Sequence, residues 1–210
     1  MDINRFKKLP IMGILRGIKA SSMNALVEII IGSGLETIEI TMNTPDAPRI
    51  IDQTVKSAKS RLMVGAGTVL SLASMHRALA AGASFIVMPI FIKDVAAYCA
   101  KNNIPFFPGA LTPQEVYTAY SSGATMVKVF PAGLFGPKYF KELKGPFEKI
   151  ALLAVGGVRL DNIKEYFDCK ADGVAVGGSI FNLDQIHSGD LKPIQKGISE
   201  LVAEVKSITA

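Results

Sequence analysis

The 210-residue sequence is poor in the residues that build metal centres and disulfide frameworks, since it has two cysteines, two histidines and no tryptophan. Cys99 and Cys169 lie far apart and belong to no Cys-x-x-Cys pair. This argues against structural zinc or disulfides and favours a reducing, cytoplasmic location. His76 and His187 are too few for the three protein ligands of a typical catalytic zinc ion. We therefore expect no metal site.

Long apolar runs are also absent. The longest ones, such as Phe85–Ile92, have the length of a strand, far from the ~20 residues of a membrane helix. The net charge is +5, its lysines are scattered, and no Arg-rich block supports nucleic-acid binding. With 49% hydrophobic and 20% charged residues, the composition is that of a globular chain that can bury a substantial core.

Eight short apolar segments alternate with amphipathic segments along the whole chain. They are Ile11–Arg16, Leu35–Thr41, Leu62–Thr68, Phe85–Pro89, Pro105–Gly109, Met126–Phe130, Ile150–Val155 and Gly173–Val176. Their starts are spaced by roughly 20–27 residues, which is typical of parallel βα units. Eight units predict an α/β protein with one domain, a small (β/α)8 TIM barrel over residues 1–210. The rival, an open doubly wound sheet, should carry a Gly-x-Gly-x-x-Gly loop after its first strand, where this chain has Arg16-Gly17-Ile18-Lys19.

Polar residues interrupt the apolar pattern near the C-terminal ends of four predicted strands. These residues are Arg16, Glu39, Thr68 and Lys128. Alternate residues of a barrel strand point inward, and barrel enzymes carry their active sites at the C-terminal ends of the strands. We therefore predict that the four side chains point inward and meet at one end of the barrel.

Glu39 and Lys128 carry the chemistry in this prediction. Within Ile38–Ile40 and Val127–Val129 the outer residues are apolar and face the helices, so the middle residue points inward. Burial lowers the pKa of a lysine from ~10.4, and the neutral amine condenses with a ketone to a Schiff base. Glu39 is the candidate acid/base, and Arg16 the candidate partner of a substrate anion. The alternatives are a structural Lys128–Glu39 ion pair and, for Thr68, an ordinary strand threonine.

Two glycine pairs follow the last two predicted strands. They are Gly156-Gly157 and Gly177-Gly178, the second of which precedes Ser179. Bare backbone N–H groups followed by a helix N-terminus form an anion cradle, and barrels often bind phosphate in these two loops. Glycines needed only for tight turns are the alternative. The predicted phosphate-binding residues are Gly156, Gly157, Gly178 and Ser179.

Several motifs together have a specific spacing. They are Gly13-Ile14-Leu15-Arg16-Gly17, Ile38-Glu39-Ile40-Thr41, Val64-Gly65-Ala66-Gly67-Thr68-Val69-Leu70, Pro108-Gly109, Val127-Lys128-Val129-Phe130-Pro131-Ala132, Gly156-Gly157-Val158 and Gly177-Gly178-Ser179. On these motifs the sequence resembles, over nearly its whole length, the 2-keto-3-deoxy-6-phosphogluconate (KDPG) / 4-hydroxy-2-oxoglutarate (KHG) aldolases. The resemblance implies a barrel, commonly a homotrimer without a cofactor. It also implies cleavage of KDPG to pyruvate and glyceraldehyde 3-phosphate, with 4-hydroxy-2-oxoglutarate as a further substrate.

The resemblance also assigns roles to residues. Lys128 would form the Schiff base and Glu39 would be the acid/base. Arg16 and Thr68 would contact the substrate, and the glycine pairs with Ser179 its phosphate. The pyruvate pocket would be lined by Pro89 and Phe130.

The sequence departs from the commonest pattern of this family at two places. Asn43 stands where many members have an arginine, and Ala154-Val155 where most have Pro-Thr. Both features resemble the sister 6-phosphogalactonate aldolases, whose substrate is the C4 epimer, whereas Thr41 and Thr44-Pro45 resemble the gluconate branch. The galactonate substrate is therefore the first alternative. A different lyase or isomerase reaction and a non-catalytic barrel that binds a phosphorylated metabolite are remoter ones.

Overall fold

Nine parallel β-strands form a nearly closed barrel in the computed structural model, which describes residues 1–209. The strands are β1 (Ile11–Leu15), β2 (Thr37–Thr41), β3 (Met63–Gly67), β4 (Ile86–Val87), β5 (Phe106–Phe107), β6 (Gly109–Ala110), β7 (Val127–Val129), β8 (Leu152–Val155) and β9 (Gly173–Val176). Strands β1 to β5 pair in sequence order, as do β6 to β9, and β9 pairs with β1. The expected domain of residues 1–210 includes Ala210, which lies outside the described residues.

The fifth predicted strand, Pro105–Gly109, is divided in two. Strand β5 pairs with β4 and β6 pairs with β7, so the two edges of the sheet are consecutive in sequence and separated only by Pro108. Pro108 has no N–H to donate, but its carbonyl accepts from the amide of Lys128 at 2.9 Å. The chain itself therefore closes the barrel, and one predicted strand becomes two short ones.

Ten α-helices are described in residues 1–209. They are α1 (Ile3–Lys8), α2 (Ala20–Gly32), α3 (Ala47–Ala58), α4 (Leu72–Ala80), α5 (Lys93–Lys101), α6 (Pro113–Ser121), α7 (Lys138–Lys144), α8 (Ile163–Asp168), α9 (Leu183–Ser188) and α10 (Lys192–Thr209). Local sequence fixes several starts: Ser71 caps α4, and Thr112 with Glu115 forms a capping box on α6. None of the described helices is both long and apolar enough to cross a membrane.

Strand alternation divides the core into two layers. One layer lies between strands and helices and includes Ile38, Ile40, Val127 and Val129. The other fills the barrel interior and consists of Phe6, Met12, Met63, Phe85, Val87, Phe107, Met126, Leu153, Val155 and Ala175. Phe6 of α1 closes the N-terminal end, because its ring meets Phe107 edge-on at 5.9 Å. The interior layer leaves the C-terminal ends of the strands for polar side chains.

Candidate active site

Lys128 is the buried cation of the barrel interior. It lies in the middle of β7, its residue is 5% exposed, and its flanking valines face the helices. Among the described ion pairs, no carboxylate oxygen lies within 4.0 Å of its Nζ. Burial lowers the pKa of this amine, Arg16 adds to the effect, and Glu39 opposes it. The predicted inward position of Lys128 is confirmed. The alternative, a close Lys128–Glu39 ion pair, is absent from the described ion pairs.

Glu39 is the buried acid of the interior. It lies in the middle of β2 and is 1% exposed, and its Oε2 has no hydrogen-bond partner among the described residues. Burial raises the pKa of this carboxyl group, while the charges of Lys128 and Arg16 act in the opposite direction. A Cβ atom built on Gly67 would lie 2.6 Å from the Glu39 Cδ, so the glycine in β3 leaves room for the carboxyl group.

Arg16 lies at the exposed rim, one residue beyond the end of β1. Its positive charge acts to lower the pKa of both Glu39 and Lys128, and it lines the same pocket as Lys128. The next residue is held in place, because the Gly17 amide donates to the Thr44 hydroxyl at 2.9 Å. Thr44 is itself buried and shares a hydrogen bond with the Thr41 hydroxyl at 3.0 Å. The loop that carries Arg16 is therefore fixed to the end of β2.

A pocket of about 530 Å³ opens at the C-terminal ends of the strands. Eight of the ten predicted site residues line it: Arg16, Pro89, Lys128, Phe130, Gly156, Gly157, Gly178 and Ser179. The Lys128 Nζ lies 5.2 Å from the centre of the Phe130 ring, which forms part of the wall. Glu39 is not in the lining, but its charge acts to raise the pKa of Lys128. The structure thus brings most of the predicted set together around one cavity.

Strand alternation does not support the prediction that Thr68 points inward. Val64 and Ala66, which share its parity, pack against the helices. Thr68 lies one residue beyond β3 with a φ of 55°, in the left-handed region, and it is absent from the pocket lining. This conformation breaks the alternation on which the prediction depended. A role for Thr68 in substrate contact stays a prediction.

The two glycine turns line the same pocket as Lys128. Gly156 and Gly157 have φ values of 90° and 83°, which favour glycine, whereas a Cβ on Gly178 would meet nothing within 4 Å. In residues 1–209 no protein acceptor is found for the amides of Gly157, Gly178 and Ser179. The expected helix N-termini do not follow directly, since α8 starts at Ile163 and α9 at Leu183. Free turn amides can nevertheless bind an anion.

Sequence reasoning missed one charged residue and most of the apolar wall. Arg159 lines the pocket two residues after the first glycine pair, and a basic residue beside a predicted anion site was the available signal. The apolar wall includes Ile14, Val155, Ala175, Phe181 and Leu183. No group of three or more His, Cys, Asp or Glu side chains in the described part of the chain is arranged to hold a metal ion.

Comparison with known proteins identifies the family. A family model described as KDPG and KHG aldolase matches residues 3–197. The 2-dehydro-3-deoxy-6-phosphogalactonate aldolase of Escherichia coli (strain K12) is 33% identical over 179 residues, which cover 85% of this chain and 87% of the relative. The 2-dehydro-3-deoxy-phosphogluconate aldolase of Dickeya dadantii (strain 3937) is 32% identical over 183 residues, covering 85% of this chain and 84% of the relative. A solved structure described as "Native KDPGal structure" has a TM-score of 0.88 and 30% identity, covering 96% of each chain.

These matches span most of the chain, and the solved structure confirms the predicted TIM-like barrel class. The two relatives belong to different substrate branches and are almost equally similar to this chain. Both are aldolases, enzymes that break a carbon–carbon bond. The chain belongs to the KDPG and KHG aldolase family and is a carbon–carbon lyase.

Proposed function

We propose that this protein is a class I aldolase that cleaves a 2-keto-3-deoxy-6-phospho sugar acid into pyruvate and glyceraldehyde 3-phosphate. The observation that carries the proposal is Lys128, a buried amine without a close carboxylate that lines an open pocket. Burial lowers its pKa, which raises the fraction of neutral, nucleophilic amine at neutral pH. A lysine kept only for stability would be expected to have a close ionic partner.

The first half of the reaction joins substrate to enzyme. The Lys128 Nζ attacks the C2 ketone to give a carbinolamine, and loss of water gives the protonated imine. Glu39 is the group proposed to hand protons to and from the carbinolamine oxygen. Its raised pKa suits this exchange, because an acid/base works best when its pKa is near the working pH.

The second half breaks the C3–C4 bond. A base takes the proton of the C4 hydroxyl, the electron pair of the C3–C4 bond moves into the imine, and glyceraldehyde 3-phosphate leaves with an aldehyde at the former C4. The enamine that stays on Lys128 then takes a proton at C3. Water hydrolyses the resulting imine, which releases pyruvate and restores the amine. We assign both proton transfers to Glu39.

The remaining pocket residues are assigned to binding. Arg16 is proposed to bind the substrate carboxylate, for which a guanidinium offers paired donors. Pro89 and Phe130 are proposed to enclose the pyruvate part. The glycine turns with Ser179 are proposed to bind the phosphate, because they line the same pocket and their amides have no protein acceptor in residues 1–209.

On the family resemblance we propose KDPG as the first candidate substrate and its galactonate epimer as the second. One observation favours the galactonate derivative: the apolar Val155 side chain lines the pocket at the position where most KDPG aldolases, by resemblance, have a threonine. Unlike a threonine, Val155 has no hydroxyl that could form a hydrogen bond with the C4 hydroxyl of the substrate. Cleavage destroys the C4 stereocentre, so the products of both epimers are the same. The reverse reaction therefore gives the sharper assay.

The test runs cleavage and condensation in parallel. Pyruvate release from each epimer gives kcat and KM, and condensation of pyruvate with glyceraldehyde 3-phosphate gives the ratio of the two C4 epimers. Lys128→Met is expected to abolish turnover, and Glu39→Gln to slow it by about 10²- to 10⁴-fold. The control Lys101→Met changes an exposed lysine at the end of α5 and is expected to leave turnover unchanged. Turnover that survives Lys128→Met would favour a different reaction, and ligand-induced thermal stabilisation without turnover would favour a binding protein.

A homotrimer in the cytoplasm is part of the same proposal. The family resemblance supports the trimer, and two free cysteines, one of them buried, support a reducing compartment. Sedimentation equilibrium is expected to give three times the mass of one chain.

A further inference from the structure

Arg159 lies where the two glycine turns meet. It lines the active-site pocket together with Gly157, Gly178 and Ser179. The turns are tied together beside it, because the Ser179 hydroxyl donates to the Val158 carbonyl at 3.2 Å. The proposed phosphate site therefore has a permanent positive charge on its rim, which neither the glycine motifs nor the mechanism above uses.

Hydrogen bonds hold the backbone of the loop from Gly157 to Asn162 in place, whereas the Arg159 side chain is exposed. The Asn162 side chain accepts from the Arg159 amide at 2.8 Å and donates to the Gly157 carbonyl at 2.9 Å. The Asn162 side chain thus positions both the glycine turn and the backbone of Arg159. The Arg159 side chain is 56% exposed, so its guanidinium can reorient without disturbing the core.

Asp161 is the resting partner of this guanidinium. Arg159 Nε and one terminal nitrogen donate to the two Asp161 carboxylate oxygens at 3.1 and 3.2 Å. The Asp161 side chain is 69% exposed, and exposed pairs of this kind are weak. The paired geometry is the one that a guanidinium also offers to phosphate, and a phosphate dianion attracts it more strongly than a single carboxylate.

We propose that Arg159 is a substrate-specificity residue that leaves Asp161 to bind the phosphate group held by the glycine turns. The inference rests on the proposed aldolase function and adds to it a cationic phosphate contact from a side chain. Arg159 would complement the turn amides, which are uncharged donors. Because the guanidinium is exposed, its contribution should weaken as salt is added.

The experiment compares Arg159→Leu, Asp161→Asn and the control Arg77→Leu. Arg77 is an exposed residue in the last turn of α4 and does not line the pocket, so this control removes the same charge away from the site. For each protein, KM and kcat are measured on the phosphorylated substrate at low and high ionic strength. The inhibition constant of inorganic phosphate is measured in the same assay. Borohydride trapping of pyruvate on Lys128 is titrated as a readout that needs no phosphate.

Loss of one charged hydrogen-bonding partner is expected to raise KM and the phosphate inhibition constant of Arg159→Leu by about tenfold, with a smaller change in kcat. The half-saturating pyruvate concentration for trapping should shift by less than about twofold, since pyruvate lacks the group that Arg159 binds. Asp161→Asn should lower KM, and the salt dependence of KM should flatten in Arg159→Leu.

Equal KM and phosphate inhibition in Arg159→Leu and Arg77→Leu would overturn the proposal. A rise in KM on Asp161→Asn would overturn the role of Asp161 as a competing partner. Failure of the aldolase proposal has a different signature, since the native protein would then trap no pyruvate on Lys128 at all.

Discussion

A substitution at Gly67 can displace the Glu39 carboxyl group and so test its role without replacing Glu39. A Cβ at position 67 would lie 2.6 Å from the Glu39 Cδ and 2.7 and 2.9 Å from its two oxygens. Non-bonded carbon atoms prefer at least ~3.5 Å, so Gly67→Ala must displace the carboxyl group by roughly 1 Å. A displacement of that size at a reacting group is expected to lower kcat by about 10²-fold.

The assay is a double-mutant cycle on kcat for cleavage. Gly67→Ala and Glu39→Gln are measured alone and together, and urea unfolding checks that each variant folds. The matched control is Gly32→Ala at the end of α2, where an added Cβ meets nothing within 4 Å. If Gly67 acts through Glu39, its effect should largely disappear in the Glu39→Gln background. The reasoning is refuted if Gly67→Ala costs the same factor in both backgrounds.

Two further predictions concern stability and the rim. Because the folded-state pKa of Lys128 is lowered, the unfolded chain binds more protons between that pKa and ~10.5. The free energy of unfolding is measured in urea from pH 7 to pH 10 for the native protein and for Lys128→Met. The native value should rise with pH relative to that of the variant, by up to about 1.4 kcal/mol per pH unit. A difference between the two proteins that stays constant with pH would contradict this. Thr44→Val leaves the Gly17 amide without its acceptor, so it should cost about 1–3 kcal/mol of stability and raise KM more than it changes kcat by loosening Arg16. Thr44→Ser should restore both, and equal kinetics in the valine and serine variants would exclude the positioning role.

The sequence predicts well wherever a strand is regular. Glu39 and Lys128 lie in the middle of β2 and β7, where apolar neighbours on both sides face the helices and alternation decides the direction of the side chain. The same rule fails at Thr68, because its left-handed backbone lies past the strand end. The spacing of apolar segments predicts eight strands where the structure has nine in residues 1–209, because Pro108 divides the fifth predicted strand.

Contacts between distant segments lie beyond the reach of single-sequence patterns. Gly67 is one glycine among many until the register pairs it with Thr41, which places it against the Glu39 carboxyl group. Arg159 lies in a loop without strand alternation, and only the three-dimensional path of that loop brings it to Ser179. Eight of the ten predicted residues line one pocket. Strand ends and the glycine turns after them can be recognised in the sequence, and a barrel places them together at the C-terminal ends of its strands.

Site-resolved trapping of pyruvate shows directly whether Lys128 forms the Schiff base. The native protein is incubated with pyruvate, reduced with borohydride, digested and analysed by mass spectrometry. We expect one modified peptide, in which Lys128 has gained the mass of pyruvate minus one water plus two hydrogens, and no such adduct in Lys128→Met. An adduct on another lysine, or none on the native protein at saturating pyruvate, would contradict it.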